Sequence, residues 1–397
     1  MTSAFSFGFS GDDIDIDDVE IDDVHEPDTS GQNASGSSRL PDLVPAERHE
    51  MDEWLSTFPS QISYNKCLIR SASFGSREST ESGQLAIARR DVFDIRAQLM
   101  AEDGAEEENG KLIAGLEEGD ITPNFYEGGF KTWECSIDLA GLVVGTGALE
   151  GDESGRHVVE LGAGTAVPSL ALFAQLLSRT EKGVQSTSTT ATETRRRIHF
   201  TFADYNSAVL RLVTLPNLLL TWNHITTHRN DNHTLSSESR SQPEGKLDKK
   251  EKQEEQEEFL DITPELISSF QNDLLQRGIT VDFISGAWSP SFVELVFTSP
   301  ETTGLKLLVL ASETIYSPGS LVAFSETLVA LLRRSASRGS QALLAAKKVY
   351  FGVGGGVDEF LAVLRTVSGS GDLRVEERMD VKSEGVGRVI LEIGVEG

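Results

Sequence analysis

The chain has 397 residues and a formal net charge of −28, and 38% of its residues are hydrophobic. This length allows one or two domains with a sizeable core, but the low apolar content predicts that part of the chain is disordered. The acidity argues against direct binding to nucleic acid, which requires basic patches, and is compatible with a basic protein partner.

Cysteine content and hydropathy indicate an intracellular protein. The two cysteines, Cys67 and Cys135, cannot form a disulfide framework. No apolar run is long enough to span a membrane, and the N-terminus lacks the pattern of an export signal. We expect a soluble monomer of the cytoplasm and nucleus. The basic runs at 195–197 and 246–252 fit either nuclear-import signals or ordinary solvated charges.

The N-terminal region is rich in aspartate and glutamate. Residues 1–55 are therefore predicted to form a disordered acidic tail. Phe5, Phe7 and Phe9 alternate within it, which fits either a docking strand for a partner or an inert segment.

A second region, residues 56–130, is predicted to be an extension that packs on the core. Apolar residues at helical spacing predict a helix over 89–100. The acidic, glycine-containing stretch at 106–119 is predicted to be a loop.

Residues 131–397 are predicted to form the main domain, in which strands and helices alternate. The alternation indicates an α/β fold with a doubly wound, seven-stranded, Rossmann-like sheet and a closing antiparallel hairpin. The predicted strands are 158–161, 198–203, 281–284, 306–310, 348–352, 373–377 and 388–393. The predicted helices are 132–142, 168–178, 206–220, 261–277, 320–334 and 356–366. Two polar segments without periodicity, 178–197 and 228–258, are predicted to be inserted loops.

The most informative segment is His-Val-Val-Glu-Leu-Gly-Ala-Gly-Thr-Ala-Val-Pro at 157–168. It predicts a strand, a tight loop and a helix, as at the nucleotide-binding end of a parallel sheet. Gly162 and Gly164 allow close approach of a ligand, and Glu160 supplies an acceptor. Val167 stands where the dinucleotide motif has its third glycine, so a pyrophosphate is disfavoured. The pattern suits S-adenosylmethionine (SAM), which is cationic and carries no phosphate.

Asp204, Tyr205 and Asn206 end the second predicted strand. An acid at this position is expected to accept the hydroxyl groups of a ribose. The alternative is an N-cap of the next helix, a position that Asp and Asn also favour. Ligand contact is the preferred interpretation because Gly162 belongs to the same edge of the sheet.

Gly286, Ala287 and Trp288 follow the third predicted strand. Trp288 at this edge would stack on an adenine, and the free backbone N–H of Ala287 would bond its ring. The alternative is that Trp288 packs in the core or in a lid, which is the commoner fate of tryptophan.

Ser312, Glu313 and Tyr316 follow the fourth predicted strand, where chemistry in such sheets tends to occur. Because Glu313 and Tyr316 are three residues apart, a single helical turn would direct both into one cleft. An acid and a phenol there would orient and deprotonate a nitrogen nucleophile. The alternative is a capping acid and a half-buried tyrosine.

Two further patterns carry less information. The glycine-rich stretch 351–356 precedes a helix but lacks the lysine of a P-loop, so we expect it to form a wall of the substrate cleft. His224 and His228 are four residues apart with His233 nearby, but no cysteine or carboxylate cluster completes a site, and no metal is expected.

Together these segments resemble the histidine protein methyltransferase family, a branch of the seven-strand SAM-dependent methyltransferases. The resemblance covers roughly residues 85–395 apart from the two insertions, and its specific parts are Trp-Glu-Cys-Ser at 133–136 and Ser-Glu-Thr-Ile-Tyr at 312–316. The other matching parts are Glu-Leu-Gly-Ala-Gly at 160–164, Asp-Tyr-Asn at 204–206, Gly-Ala-Trp at 286–288 and the glycine run at 350–356, of which Gly-x-Gly alone is generic to the superfamily. The family often has an acid where this chain has Ala287.

The resemblance implies a set of contacts and a reaction. The residues implied to bind SAM are Thr132, Trp133, Glu134, Cys135, Ser136, Glu160, Gly162, Gly164, Asp204, Tyr205, Asn206, Gly286, Ala287, Trp288 and Ser312. Glu313 and Tyr316 are implied to lie at the substrate side. The implied reaction is transfer of a methyl group from SAM to a histidine of a large-subunit ribosomal protein. Two alternatives remain at this stage: methylation of lysine by the same fold, and a SAM-binding ribosome-assembly adaptor without catalysis.

Overall fold

The computed structural model of the chain describes most of its residues. The described ranges are 44–71, 84–102, 106–117, 128–149, 155–179, 197–235, 258–351, 354–369, 371–382 and 385–395. The predicted tail before residue 44, with its three phenylalanines, lies outside them, as do the greater parts of the two predicted insertions. Within the described ranges, no helix is both long enough and apolar enough to cross a membrane.

Two sheets organise the described chain. The large sheet has eight strands in the order β1-β7-β5-β4-β8-β9-β11-β10, and a small antiparallel sheet has the order β3-β2-β6. The strands are β1 (Glu47–His49), β2 (Gln61–Arg70), β3 (Gln84–Arg90), β4 (Arg156–Leu161), β5 (Ile198–Asp204), β6 (Glu258–Asp261), β7 (Ile279–Ser285), β8 (Lys306–Ser312), β9 (Ser340–Lys347), β10 (Leu373–Val381) and β11 (Arg388–Val395).

The helices pack on both faces of the large sheet. They are α1 (Met51–Leu55), α2 (Val92–Ala101), α3 (Glu106–Glu117), α4 (Glu134–Thr146), α5 (Val167–Arg179), α6 (Ser207–Val209), α7 (Leu215–Leu235), α8 (Pro264–Arg277), α9 (Pro290–Thr298), α10 (Leu321–Arg334) and α11 (Val357–Ser368). Short 3₁₀ turns follow α9 and α10, at Pro300–Thr302 and Ala336–Arg338.

Burial explains why the central strands are parallel and apolar. Val158 of β4 packs in the cluster that contains α4, α5, α7 and α8, whereas its neighbour Val159 packs in the cluster that contains α9, α10 and α11. Alternate side chains of each strand therefore point to opposite helical layers, and both faces of the sheet are covered. All residues of β5 are buried for the same reason.

The strand order places a candidate site at the carboxyl ends of the central strands. From β4 the chain continues through β5 to β7 on one side and returns to β8 and β9 on the other side. Such a reversal opens a crevice above the carboxyl ends of the strands, which is where ligands bind in doubly wound sheets. The α/β prediction is confirmed, including the antiparallel pair of β10 and β11 at the end of the sheet.

An eighth strand and a helix lie where the acidic tail was predicted to continue to residue 55. β1 pairs antiparallel with β7. Arg48 forms an ion pair with Asp282 of β7, and Trp54 of α1 stacks on His49 with ring centroids 4.6 Å apart. Because these contacts cover the edge of β7, the tail prediction is wrong for residues 44–55, and the large sheet has one strand more than predicted.

Three local predictions were wrong for identifiable reasons. The stretch predicted as a loop at 106–119 forms α3, because Leu112 and Leu116, one turn apart, are buried against Phe130. The strand predicted at 348–352 lies earlier in the chain, as β9, which ends at Lys347 and contains three alanines in place of the β-branched residues that indicate a strand. The helix predicted at 206–220 is interrupted and extends further, to Leu235.

The interruption of that helix is a π-helical turn at Leu210–Thr214. A π turn widens the helix and leaves carbonyl groups to be satisfied elsewhere. The buried guanidinium of Arg90, at the end of β3, donates to the Leu212 carbonyl at 3.0 Å. The same turn directs the Thr214 hydroxyl to the Gly164 carbonyl, 2.7 Å away. The small sheet, which the sequence did not predict, thus supports the crevice of the large one.

Two histidines are buried side by side within the large sheet. His157 and His199 are 2% and 1% exposed, and their rings lie 5.0 Å apart. The His157 ring is hydrogen-bonded to Thr201 at 2.9 Å. Burial, and next the neighbouring His199, hold the pKa of His157 well below its usual value of 6.5.

We predict a pH-dependent stability from His157. Below about pH 6.5 the unfolded chain binds a proton at this histidine and the native state does not, so the free energy of unfolding falls as the pH falls. The contribution approaches about 1.4 kcal/mol per pH unit. In His157→Phe the slope between pH 6.5 and 5.5 should be smaller by up to this amount, as measured by urea denaturation. Equal slopes in both proteins would contradict this origin.

Candidate active site

The glycine loop after β4 forms the floor of the crevice. Gly162 and Gly164 have φ angles of 66° and 51°, in the left-handed region that favours glycine. A Cβ on Gly162 would lie 2.8 Å from the Thr314 methyl group, and one on Gly164 would lie 3.2 Å from Gly129. Two other segments therefore contact this loop, one through a side-chain methyl group and the other through its backbone, and larger residues would push them away.

Asp204 holds the glycine loop to the neighbouring strand. Its carboxylate accepts hydrogen bonds from the Gly164 N–H at 3.0 Å and from the Asn206 N–H at 3.2 Å. The side chain of Asn217 in α7 donates to the carbonyl of Thr165 at 3.1 Å and fixes the far side of the loop. Each carboxylate oxygen can accept a second hydrogen bond. The predicted ribose contact by Asp204 is therefore compatible with its observed structural contact.

Glu160 lies beneath the loop rather than in the crevice. It is 1% exposed, and its carboxylate accepts a hydrogen bond from the Ser169 N–H at 3.0 Å, in the first turn of α5. Burial raises the pKa of Glu160 to about 8, so the group is mostly neutral at pH 7. This position explains the acid as a helix cap, and direct contact of Glu160 with a cofactor stays a prediction.

The segment 132–136 crosses above the glycine loop and begins α4. The Thr132 and Thr165 hydroxyls are 3.1 Å apart, and the Ser136 hydroxyl donates to the Trp133 carbonyl at 2.7 Å. Trp133 is half-buried, whereas Cys135 is fully buried. The structure therefore brings Thr132 and Trp133 to the crevice but directs Cys135 and Ser136 into the protein.

The turn after β7 is occupied by the chain's own N-terminal segment. The Ala287 N–H donates to the Val44 carbonyl at 2.9 Å, so the prediction of a free N–H for an adenine ring is wrong. A Cβ on Gly286 would collide with the Pro45 carbonyl oxygen. Trp288 makes an edge contact with Phe292 at 5.1 Å and packs on the α9–α11 layer, which favours the core interpretation of this tryptophan.

Tyr205 connects this turn to the end of β5. It is half-buried, and its carbonyl accepts a hydrogen bond from the Gly286 N–H at 3.1 Å. The predicted Asp-Tyr-Asn and Gly-Ala-Trp segments are therefore adjacent in space, as expected for the carboxyl ends of neighbouring parallel strands.

Glu313 occupies the centre of the opposite wall, directly after Ser312, the last residue of β8. Its φ angle of 57° is uncommon for a residue with a side chain, and its N–H donates to the Ala345 carbonyl of β9 at 3.0 Å. The predicted helical turn is absent, because residue 313 is a bend and residues 314–316 have no regular secondary structure. The side chain is 10% exposed, and its Oε1 has no hydrogen-bond partner within the described ranges.

Tyr316 and Tyr350 stand beside Glu313. Their rings lie 6.4 Å apart, and Tyr316 is half-buried. Burial, and next the Glu313 carboxylate, raise the pKa of the Tyr350 hydroxyl above its usual range. The same two causes raise the pKa of the Cys135 thiol. On this side Glu313 therefore has neutral neighbours, and its Oε1 has no hydrogen-bond partner among the described residues.

Sequence reasoning missed two residues of this wall, Lys347 and Tyr350. The Lys347 ammonium lies 3.4 Å from Glu134 and 3.7 Å from Glu313, and 5.0 Å from the centre of the Trp133 ring. The Lys347 N–H donates to the Tyr350 hydroxyl at 3.2 Å. The incorrect strand at 348–352 concealed Lys347, since the last residue of a parallel strand at this edge is the place to look for function, whereas Tyr350 was considered only as the start of the glycine run at 350–356.

The chemistry of the crevice suits a cationic ligand with hydroxyl groups. Its polar groups are mainly carboxylates, namely Asp204, Glu134 and Glu313, with Lys347 as the cation that contacts the last two. A phosphate would meet negative charge at this wall, whereas a sulfonium, an ammonium or a ribose would find acceptors. The glycine loop itself is close-packed against Thr314 and Gly129, so the fold requires glycine at 162 and 164.

A doubly wound sheet with this strand order, a Gly-x-Gly loop after its central strand and an acid that ends the next strand defines a SAM-dependent methyltransferase. Histidine protein methyltransferase 1 of Saccharomyces cerevisiae is 34% identical over 77% of this chain and 75% of its own length. The Schizosaccharomyces pombe protein of the same name is 31% identical over 98% of this chain and 93% of its own. The chain belongs to the histidine protein methyltransferase family.

Further comparisons add little to this assignment. No family model matches the sequence. Solved structures with similar folds include the N-terminal domain of human METTL16 in complex with SAH, at 10% identity and a TM-score of 0.29 over 65% of this chain and 66% of that chain. The rRNA methyltransferase AviRa of Streptomyces viridochromogenes has 10% identity and a TM-score of 0.32 over 73% of this chain and 94% of that chain. These scores are low, so the family assignment depends on the sequence relatives.

The buried position of Glu160 leads to a prediction about Glu160→Gln. The native state holds a proton on Glu160 up to about pH 8 and the unfolded chain loses it near pH 4.5, so native stability falls as the pH rises between these values. The substituted amide is neutral at every pH and keeps an acceptor for the Ser169 N–H. The melting temperature of the variant relative to the parent should therefore rise from about pH 6 to about pH 9.

The same variant distinguishes a helix cap from a cofactor ligand. If Glu160 acts as a cap, titration calorimetry at about pH 7.5 should give a SAM affinity within about threefold of the parent value. Asp204→Asn, which removes an acceptor in the crevice, should weaken SAM binding by about tenfold or more. A comparable loss in Glu160→Gln would show that this acid contacts the cofactor.

Proposed function

We propose that this methyltransferase transfers a methyl group from SAM to the imidazole of a histidine in a large-subunit ribosomal protein. The observation that carries the proposal is the buried Oε1 of Glu313, which has no hydrogen-bond partner among the described residues and lies beside the glycine loop. A neutral imidazole has one N–H to donate and one nitrogen lone pair for attack. The two curated fungal relatives are named for methylation of histidine.

The residues expected to hold SAM lie on three segments. Gly162 and Gly164 allow its backbone contact, Asp204 is placed to accept hydroxyl groups, and Thr132 and Trp133 cover the loop from above. When bound, SAM supplies a methyl group on a positively charged sulfur, which leaves as a neutral thioether.

Orientation of the imidazole is the main task of the protein in this reaction. Imidazole has a pKa near 6.5, so the acceptor is largely neutral at cellular pH and needs little activation. The Glu313 carboxylate accepts the N–H of one ring nitrogen, which fixes the tautomer and directs the lone pair of the other nitrogen at the methyl group. The new N–C bond forms as the C–S bond breaks with its electron pair left on sulfur, and the N–H proton then passes to Glu313 and solvent.

Tyr316 and the glycine-rich wall shape the entry for the substrate. A Cβ on Gly355 would collide with the Tyr316 carbonyl, so the segment before α11 packs directly on the backbone after Glu313. Tyr316 and Tyr350 line this side with aromatic rings, which suits a flat acceptor such as imidazole.

The acidity of the chain supports a basic partner. With a net charge of −28 the protein attracts cationic proteins over a range limited by salt screening. We propose a ribosomal protein met in the cytoplasm or nucleus, with the enzyme acting as a monomer and without direct contact to nucleic acid. Association with the substrate should weaken strongly as the salt concentration rises.

The experiment that tests the function is methylation with radiolabelled SAM. Ribosomal proteins from cells that lack this chain are incubated with the purified protein, and the labelled residue is located by mass spectrometry. Label on a single histidine supports the proposal. Label on lysine would assign the related activity, and confirmed SAM binding without any label would favour the adaptor.

We predict that Glu313→Ala lowers kcat by about ten- to a hundredfold, because the imidazole loses the acceptor that fixes its tautomer. Methylation rates at saturating SAM measure this effect. Glu301→Ala removes an exposed glutamate and is the matched control with unchanged rate. Full turnover by Glu313→Ala with normal SAM affinity would refute the role.

A further inference from the structure

Lys347 is a half-buried lysine between two acids that come from different walls of the crevice. Its ammonium lies 3.4 Å from Oε2 of Glu134 in the first turn of α4 and 3.7 Å from Oε1 of Glu313 after β8. It also lies 5.0 Å from the centre of the Trp133 ring, within the range of a cation–π contact. One side chain therefore connects the segment expected to cover SAM with the segment expected to face the acceptor.

The backbone keeps this lysine in place. Lys347 is the last residue of β9, whose ladder with β11 pairs it with Arg388. Its N–H donates to the Tyr350 hydroxyl, and the Glu313 N–H donates to Ala345 of the same strand. Lys347 and Glu313 thus belong to one hydrogen-bonded unit, so their separation is set by the sheet.

We infer that Lys347 is a positioning residue for the methyl transfer, whose ammonium directs the Glu313 carboxylate toward the acceptor and keeps the bound imidazole in its neutral form. The inference rests on the proposed function. A cation beside the acceptor disfavours the charged form of an imidazole. This effect extends the reactive, neutral state of the imidazole to lower pH.

The charge around Lys347 is consistent with this assignment. The titratable groups that face it and Glu313 from the packed elements are Glu134, Cys135, Asp138, Tyr316, Tyr350 and Arg388. Arg388 is paired with Asp138 at 2.5 Å, which leaves Lys347, within the described part of the chain, as the cation in contact with Glu313. Burial alone would raise the pKa of Glu134, but a hydrogen bond to its own N–H and the charge of Lys347 lower it.

Without the ammonium, two carboxylates would face the crevice uncompensated. Such a site attracts a cationic acceptor, so an imidazolium, which has no lone pair for attack, would bind in place of the neutral imidazole. In a protein without this ammonium, KM for the substrate would change little or decrease at low pH, while kcat would fall. A structural lysine would not produce this division between KM and kcat.

The test compares Lys347→Met with Lys348→Met in the full chain. Lys348 is the adjacent residue, is exposed and pairs with Asp380 at 2.8 Å, away from the crevice. Initial rates of histidine methylation at saturating SAM are measured from about pH 5.5 to about pH 8.5. For Lys347→Met we expect kcat at about pH 6.5 to fall about tenfold, while KM changes less than about threefold. The acid limb of the profile, which is the pH range in which kcat falls as the pH falls, should move up by about one pH unit. Lys347→Arg, which keeps the charge, should return the acid limb to the parent position.

The other outcomes contradict either the positioning role of Lys347 or the proposed function. A Lys347→Met profile identical to that of Lys348→Met overturns the positioning role while leaving the proposed function intact. Absence of histidine methylation by the parent protein overturns the proposed function instead. If Lys347→Met has lost its melting transition, Lys347→Arg decides: an acid limb at the parent pH supports the role of the charge, and a displaced limb overturns it.

Discussion

The hydrogen bond from the Gly164 N–H to the Asp204 carboxylate is the contact on which the crevice depends. It joins the loop after β4 to the end of β5, next to the boundary of β4 and β8 where the strand order reverses. From the opposite side, the Thr214 hydroxyl donates to the Gly164 carbonyl. The loop is thus held by both its N–H and its carbonyl, so its left-handed glycines are fixed before any ligand arrives. A preorganised loop lowers the ordering cost of binding.

Glu160, beneath the glycine loop, and Glu313, on the opposite wall of the crevice, differ in burial and in charged partners. Glu160 is buried, mostly neutral and bound to α5, so it serves the fold. Glu313 is nearly as enclosed but keeps an oxygen without a hydrogen-bond partner among the described residues and has Lys347 within 3.7 Å, so it remains suited to a ligand. Two glutamates at the ends of adjacent strands therefore differ in role because one has an ion partner and an open oxygen, whereas the other has a helix N-terminus.

Local patterns predicted the parts of the fold that are determined locally. The buried run before Gly162 and the acid at 204 identified β4 and β5, and the family motifs identified the walls. Contacts between distant segments were not predictable: the Val44 carbonyl meets Ala287, and Lys347 meets Glu134. Neither pair has a sequence signature, because each depends on how strands are ordered in space. Alternating strands were also easier to recognise than β9, whose buried alanines lack the β-branched residues that indicate a strand.

β1 has a practical consequence for anyone who shortens this protein. A fragment that begins at residue 56, where the sequence alone places the start of the folded region, would lose the strand that pairs with β7 and the carbonyl that meets Ala287. The exposed backbone of β7 would then be an open edge, and open edges recruit strands from other molecules. Such a fragment is expected to aggregate even though every family motif is intact, so a usable catalytic fragment begins before Val44.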